Sequence, residues 1–92
     1  MLSERIKLLR TARGINQVDL AEALNVTKQT VSNWENDNIL PSIEMLVKIA
    51  KYFNASCDYL LGLDNERVIN VSELTEQQVA HLVVLINDLK NK

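Results

Sequence analysis

Gln17-Val18-Asp19-Leu20-Ala21-Glu22-Ala23-Leu24-Asn25-Val26-Thr27-Lys28-Gln29-Thr30-Val31-Ser32-Asn33-Trp34-Glu35-Asn36 holds two helix starts with one tight turn between them. Asn16 stands before the first as an N-cap, Asp19 occupies N3, and Ile15 with Leu20 makes a hydrophobic staple. The spacing predicts a helix from Gln17 to about Leu24. The turn is Asn25-Val26, and Asn tolerates the left-handed backbone better than most residues with a side chain. Thr27 caps the next helix, which runs from Lys28 to about Glu35, with Val26 placed to staple onto Val31. Leu20, Ala21 and Leu24 fall on one face of the first helix, and Val31 and Trp34 on one face of the second. Ala21 is small enough to let the two cross closely near the turn.

Helical signals continue in both directions. Upstream, Ser3 reads as the N-cap of an opening helix carrying Ile6, Leu9 and Arg13, with Leu2 beside them. Gly14 supplies the left-handed residue that ends it. Downstream, Asn36 to Pro41 reads as a loop. Ser42 then caps a helix with Leu46, Ile49, Ala50 and Phe53 on its apolar face. Ser56 caps a short helix from Cys57 to Leu61, closed by Gly62. The segment 63–74 reads as a linker, in which Val68, Ile69 and Val71 fit either a short strand or an extended connection. Thr75 and Gln78 form a capping-box pair, and Leu74 with Val79 a staple, so a last helix runs from Glu76 to near residue 91. The fold class is all-α: a compact five-helix domain over residues 3–62, followed by an amphipathic C-terminal helix over 75–91.

The 92 residues leave room for one modest core. No apolar run approaches the roughly 18 residues of a membrane span. The first residues lack the pattern of an export leader, and a cytoplasmic location is expected. Cys57 is the sole cysteine, which excludes an internal disulfide. The net charge is −2. Residues 1–62 balance seven basic side chains (Arg5, Lys7, Arg10, Arg13, Lys28, Lys48, Lys51) against seven acidic ones, and the excess acid lies in the tail. Neither a nucleophile–base pair nor a metal-ligand cluster nor a phosphate-binding glycine loop is legible. No enzyme, cofactor or metal is therefore expected.

Two short capped helices joined by a tight turn suit a unit that reads DNA, the first bracing on the backbone and the second lying in the major groove. The outer face of the second carries Lys28, Gln29, Ser32 and Asn33, with Thr27 and Thr30 at its start. All hydrogen-bond: Gln and Asn can pair with adenine, Lys can reach guanine, and a Thr methyl can meet that of thymine. Ser32 reads equally well as contact or bystander.

On Gln17-Val18-Asp19-Leu20-Ala21, Leu24-Asn25-Val26 and Thr30-Val31-Ser32-Asn33-Trp34-Glu35-Asn36, the chain resembles the lambda-repressor-like, Cro/XRE-type helix-turn-helix regulators. Pro41-Ser42, the run Leu46 to Ala50 and Asp58-Tyr59-Leu60-Leu61-Gly62 extend the likeness over residues 3–62. The resemblance implies a regulator, expected to be a repressor, that binds a pseudo-palindromic double-stranded operator as a homodimer. It implies that Gln17 bonds a phosphate, that Lys28, Gln29 and Asn33 face bases, and that the residues around Asn36 and Asn38 approach the backbone. It also implies an internal ion pair between Arg10 and Glu35. Asp37 departs from the pattern, which often has Gly there.

Other features have plainer readings. Trp34 falls on the Val31 face and belongs to the core. Arg5, Lys7 and Arg13 form a mostly solvated face. Cys57 reads as a partly buried, inert thiol, and His81 as a lone histidine on the polar side of the last helix. Val79, Leu82, Val83, Leu85, Ile86 and Leu89 span an arc of roughly 160° on that helix. This face either completes the domain's own core or pairs with a second copy, with Val79, Leu82, Val83, Ile86 and Leu89 as the dimerisation set. A second reading of the whole chain is an adaptor or antitoxin-like protein that acts mainly through a protein partner.

Overall fold

The computed structural model describes residues 2–63 and 70–91. The described residues hold six helices and no strand: α1 Leu2–Ala12, α2 Gln17–Leu24, α3 Lys28–Glu35, α4 Ile43–Phe53, α5 Cys57–Leu61 and α6 Glu76–Lys90. The bounds of α2, α3 and α5 coincide with those expected from caps and periodicity. Asn16, Thr27, Ser42, Ser56 and Thr75 each accept a hydrogen bond from the backbone N–H three residues on. Each side chain thereby satisfies one of the donors that a helix start leaves without a partner. Two of these starts are full capping boxes, with Asp19 and Gln78 bonding back to the N-cap N–H of Asn16 and Thr75.

Helix ends are equally uniform. Gly14, Asn25, Asp37, Asn54 and Gly62 all have φ between 55° and 76°. Each belongs to the same terminator, in which two successive N–H groups fold back onto carbonyls of the last turn. After α3, the N–H of Asp37 bonds the Trp34 carbonyl at 3.3 Å and that of Asn38 bonds the Asn33 carbonyl at 2.9 Å. After α4, the Asn54 and Ala55 N–H groups reach Lys51 and Ala50 in the same way. This is the Schellman arrangement, which needs a left-handed residue and therefore favours Gly, then Asn or Asp.

The core is built from Ile6 of α1, Leu20, Ala21 and Leu24 of α2, Val31 and Trp34 of α3, Ile49, Ala50 and Phe53 of α4, and Leu60 of α5. Ile15 and Val26 pack against it from the positions preceding the caps, as staples do. α3 packs on α2 and α1, α5 packs on α1 and α4, and α2 touches α4. The core stripe expected on α2 and α3 is therefore the stripe found.

One ion pair joins the layers. The Arg10 guanidinium gives Nε to Glu35 Oε2 at 2.7 Å and Nη2 to Glu35 Oε1 at 3.0 Å, with side chains 11% and 2% exposed. The third arm, Nη1, reaches the Ile15 carbonyl at 2.9 Å. The hydrogen bonds that Arg10 donates to Glu35, with the carboxylate's charge adding to them, raise the Arg10 pKa above its ordinary value against the opposing effect of burial.

Several expectations need correction. Ser3 does not cap α1; the helix already includes Leu2, and Ser3 is buried within its first turn. Lys7 and Arg13 are exposed as expected, but Arg5 is half-buried, and both arginines are held against neighbouring rings. Arg5 lies over the Tyr59 ring and donates to the Tyr59 carbonyl. Arg13 stacks on Tyr52 and Phe53 and donates to the Tyr52 carbonyl at 2.9 Å. Cation–π attraction explains both placements. Val68 and Ile69 lie outside the described residues, and Val71 opens a turn closed by the Leu74 N–H on its carbonyl at 3.0 Å. The face of α6 is not taken into the described core: Val79 and Leu82 are half-buried, and Val83, Leu85, Ile86 and Leu89 are exposed.

These contacts set the expected stability of three variants. Glu35→Ala leaves a nearly buried guanidinium without its counter-charge and should cost about 3 kcal/mol. The exposed Glu22→Ala should stay within about 0.5 kcal/mol. Asp37→Gly relieves a left-handed backbone with a side chain and removes an acid from a helix C-terminus; it should gain about 0.5–1 kcal/mol. Urea unfolding followed by fluorescence of Trp34, the only tryptophan, reads all three.

Candidate nucleic-acid interface

α3 is held at both ends and along one side, and this fixes its remaining face. Val31 and Trp34 are buried, which turns Lys28, Gln29, Ser32 and Asn33 away from the core. Lys28 and Gln29 are exposed, while Ser32 and Asn33 are half-buried on the flanks. Thr27 is exposed at the N-cap and Thr30 is half-buried one turn on, their hydroxyls 2.8 Å apart.

The polar face is internally paired. Gln29 Nε2 donates to Asn33 Oδ1 at 3.0 Å, and Asn36 Nδ2 donates to Ser32 Oγ at 3.2 Å. These one-turn pairs use one N–H of Gln29, one N–H of Asn36 and the carbonyl oxygen of Asn33. Gln29 keeps its carbonyl and one N–H, the two groups that a bidentate contact with adenine requires. Lys28 has no acidic partner among the described residues.

Gln17 stands apart from this row. It is the first residue of α2, half-buried, and its Nε2 donates to Glu35 Oε1 at 3.2 Å. It therefore sits at the end of the Arg10–Glu35 pair, beside the last residue of α3. Asn36 and Asn38 are both exposed, flanking the left-handed Asp37 just past the end of α3. The expected residues thus fall into two groups: an α3 row from Thr27 to Asn33, and a cluster at the α3 C-terminus formed by Gln17, Asn36 and Asn38.

Charge is scarce here for a definite reason. The three arginines of residues 1–62 are all engaged within the protein: Arg5 on Tyr59, Arg10 on Glu35, and Arg13 on Tyr52 and Phe53. Lys28 is the one cation on the polar face of α3. No group of three or more metal-binding side chains occurs among the described residues, and none of their helices is long and apolar enough to cross a membrane.

Two features escaped the sequence reading. The Gln17–Glu35 bond joins residues 18 positions apart, and only the folded register of α2 against α3 brings them together. In sequence Asp37 shows only a departure from Gly, whereas the fold gives both it and Asn54 a left-handed backbone. A lone Asn or Asp before an N-cap signal was the available cue.

Comparison with known proteins agrees with the geometry. The helix-turn-helix family model matches residues 6–60. The transcriptional regulator ImmR of Bacillus subtilis (strain 168) is 32% identical over 87 residues, covering 95% of this chain and 68% of ImmR. The repressor protein CI of Enterobacteria phage phi80 is 47% identical over 61 residues, covering 66% of this chain but 25% of that repressor. The P22 c2 repressor, solved in complex with a synthetic operator, superposes with a TM-score of 0.66 at 33% identity, over 70% of this chain and 97% of that one. The family is one of DNA-binding regulators, not of enzymes. The chain belongs to the Cro/C1-type helix-turn-helix family of transcriptional regulators.

Proposed function

We propose that the protein is a repressor that binds a pseudo-palindromic operator as a homodimer, with α3 of each copy in the major groove. The observation that carries this reading is the face of α3: Lys28, Gln29, Ser32 and Asn33 lie outward while Val31 and Trp34 are locked inward. In this reading Lys28, Gln29 and Asn33 meet base edges, and Thr27 and Thr30 enter at the N-terminal end. Gln17 bonds a phosphate, and Asn36 and Asn38 approach the neighbouring backbone. The P22 c2 repressor, similar over its helical domain, has been solved with an operator, which supports the DNA-binding reading.

The dimer is assigned to α6. Val79, Leu82, Ile86 and Leu89 are spaced three, four and three residues apart, a pattern that reads the same in both directions. An antiparallel partner would set Val79 against Leu89 and Leu82 against Ile86. It would also bring the acidic first turn at Glu76 towards the basic last turn at Lys90. Val83, Val84 and Leu85 are more than half exposed in the single chain, and pairing gives part of this surface a partner. The same exposed face favours a second reading, in which α6 takes a different protein.

Selection from random duplexes should enrich a palindrome whose half-sites lie about one helical turn apart. A folded protein that enriches none refutes the proposal. Lys28→Ala and Gln29→Ala should each weaken binding to the enriched duplex by about 1–3 kcal/mol. Unchanged binding would remove either residue from the readers. Sedimentation should show a dimer for the full chain and a folded monomer for Leu82→Asp combined with Ile86→Asp. A dimer that survives both substitutions would take the interface away from α6. A wild-type monomer that binds DNA would favour the second reading of that helix.

A further inference from the structure

We infer that Arg10 and Glu35 are positioning residues for DNA binding, because they fix the side-chain amide of Gln17 in the orientation that a phosphate requires. The inference rests on the reading of Gln17 as a phosphate contact. Its own basis is the sharing of one carboxylate. Glu35 Oε1 accepts from Arg10 Nη2 at 3.0 Å and from Gln17 Nε2 at 3.2 Å, while Oε2 accepts from Arg10 Nε at 2.7 Å.

The chemistry of the groups sets the direction. An ionised carboxylate only accepts hydrogen bonds, whereas a primary amide has two N–H donors and one carbonyl. Gln17 must therefore present nitrogen, not oxygen, to Glu35. Once one N–H is engaged there, the second belongs to an amide whose plane is fixed. A free glutamine loses rotamer freedom when it is captured by a ligand. Here that loss already occurs on folding, and binding need not supply it.

Arg10 holds the carboxylate in turn. Its fork occupies both Glu35 oxygens, and its third arm is tied to the Ile15 carbonyl, just before the Asn16 cap of α2. One guanidinium thus spans the start of α2 and the end of α3. The side chain of Glu35 is 2% exposed, so it does not meet DNA itself and acts through Gln17.

The test is a mutant cycle on the full chain, with a duplex of fixed random sequence at low salt as the probe, since phosphate contacts are sequence-independent. Arg10→Lys keeps the charge but loses the fork. Gln17→Ala should weaken binding about 5-fold, and Arg10→Lys about 3-fold. The double variant should bind within about 2-fold of Gln17→Ala alone, because the positioning has nothing left to act on. Additive losses in the double variant overturn the positioning role while leaving the Gln17 contact standing. A Gln17→Ala variant that binds like wild type overturns the contact and the inference together. If Arg10→Lys fails to fold, Glu35→Gln takes its place in the cycle. The free protein gives an independent readout by NMR: the Gln17 side-chain amide protons should exchange more slowly than those of the exposed Gln77. Equal exchange would overturn the inference without any variant.

Discussion

The bidentate bond between Arg10 and Glu35 is the constraint on which the reading face depends. α3 has only eight residues, too few to be stable alone, and its direction is set by what it packs on. Apolar contacts from Val31 and Trp34 fix which side faces in, but they are tolerant of small rotations. A forked pair with nearly buried partners is not tolerant, because each N–H must meet its own oxygen. Glu35 is the last residue of α3 and Arg10 lies near the end of α1, so the pair fixes the helix at the end furthest from its Thr27 cap. Cap and ion pair together hold both ends while the core holds one side. The outer row from Lys28 to Asn33 is then placed without needing contacts of its own.

The connections obey a second constraint. Short helices in a small domain must turn sharply, and each of α1 to α5 does so through one left-handed residue. Gly14 and Gly62 fill two of these positions, where a side chain would be strained whatever the space around it. Asn25 and Asn54 take two more with residues that tolerate the conformation. Asp37 is the exception that bears on function. It stands where glycine would be easier, at the negative end of the α3 dipole, and between Asn36 and Asn38. Its carboxylate opposes both the helix end and any phosphate brought near it.

Most of this was legible in sequence because the relevant signals are local. Caps, staples and terminators act over three to five residues, and the helix bounds therefore followed from Asn16, Thr27, Ser42, Ser56 and Thr75. The inward stripe from Leu20 to Trp34 followed from period alone. What was not legible is long-range and polar. That Arg5 and Arg13 settle on Tyr59 and Tyr52 depends on how α1 lies against α5 and α4. The hold of Glu35 on Gln17 depends on the register between α2 and α3. The ion pair itself came from family resemblance and not from spacing, since nothing in a linear pattern couples positions 10 and 35. The start of α1 was misjudged for the opposite reason: Ser3 has the chemistry of a cap, yet burial beside Ile6 places it inside the helix.

The charge balance follows from the same tertiary contacts. A regulator that attracted DNA through charge alone would keep its arginines on the surface facing the duplex. In this fold the arginines of the helical domain are used to assemble the helices, and Lys28 is left as the cation of the α3 row. In the proposed reading, neutral donors supply the contacts: amides of Gln17, Gln29, Asn33, Asn36 and Asn38, together with the N–H groups at the start of α2. Such donors are strongly directional and contribute little when misaligned. Under that reading discrimination is bound to orientation, and the bonds of Gln29 to Asn33, Asn36 to Ser32 and Gln17 to the buried Glu35 restrict it. It also makes a single domain a weak attractor. The proposed pairing through α6 acts on that weakness, because a second head held on the same duplex binds at a high effective concentration without adding any charge to the first.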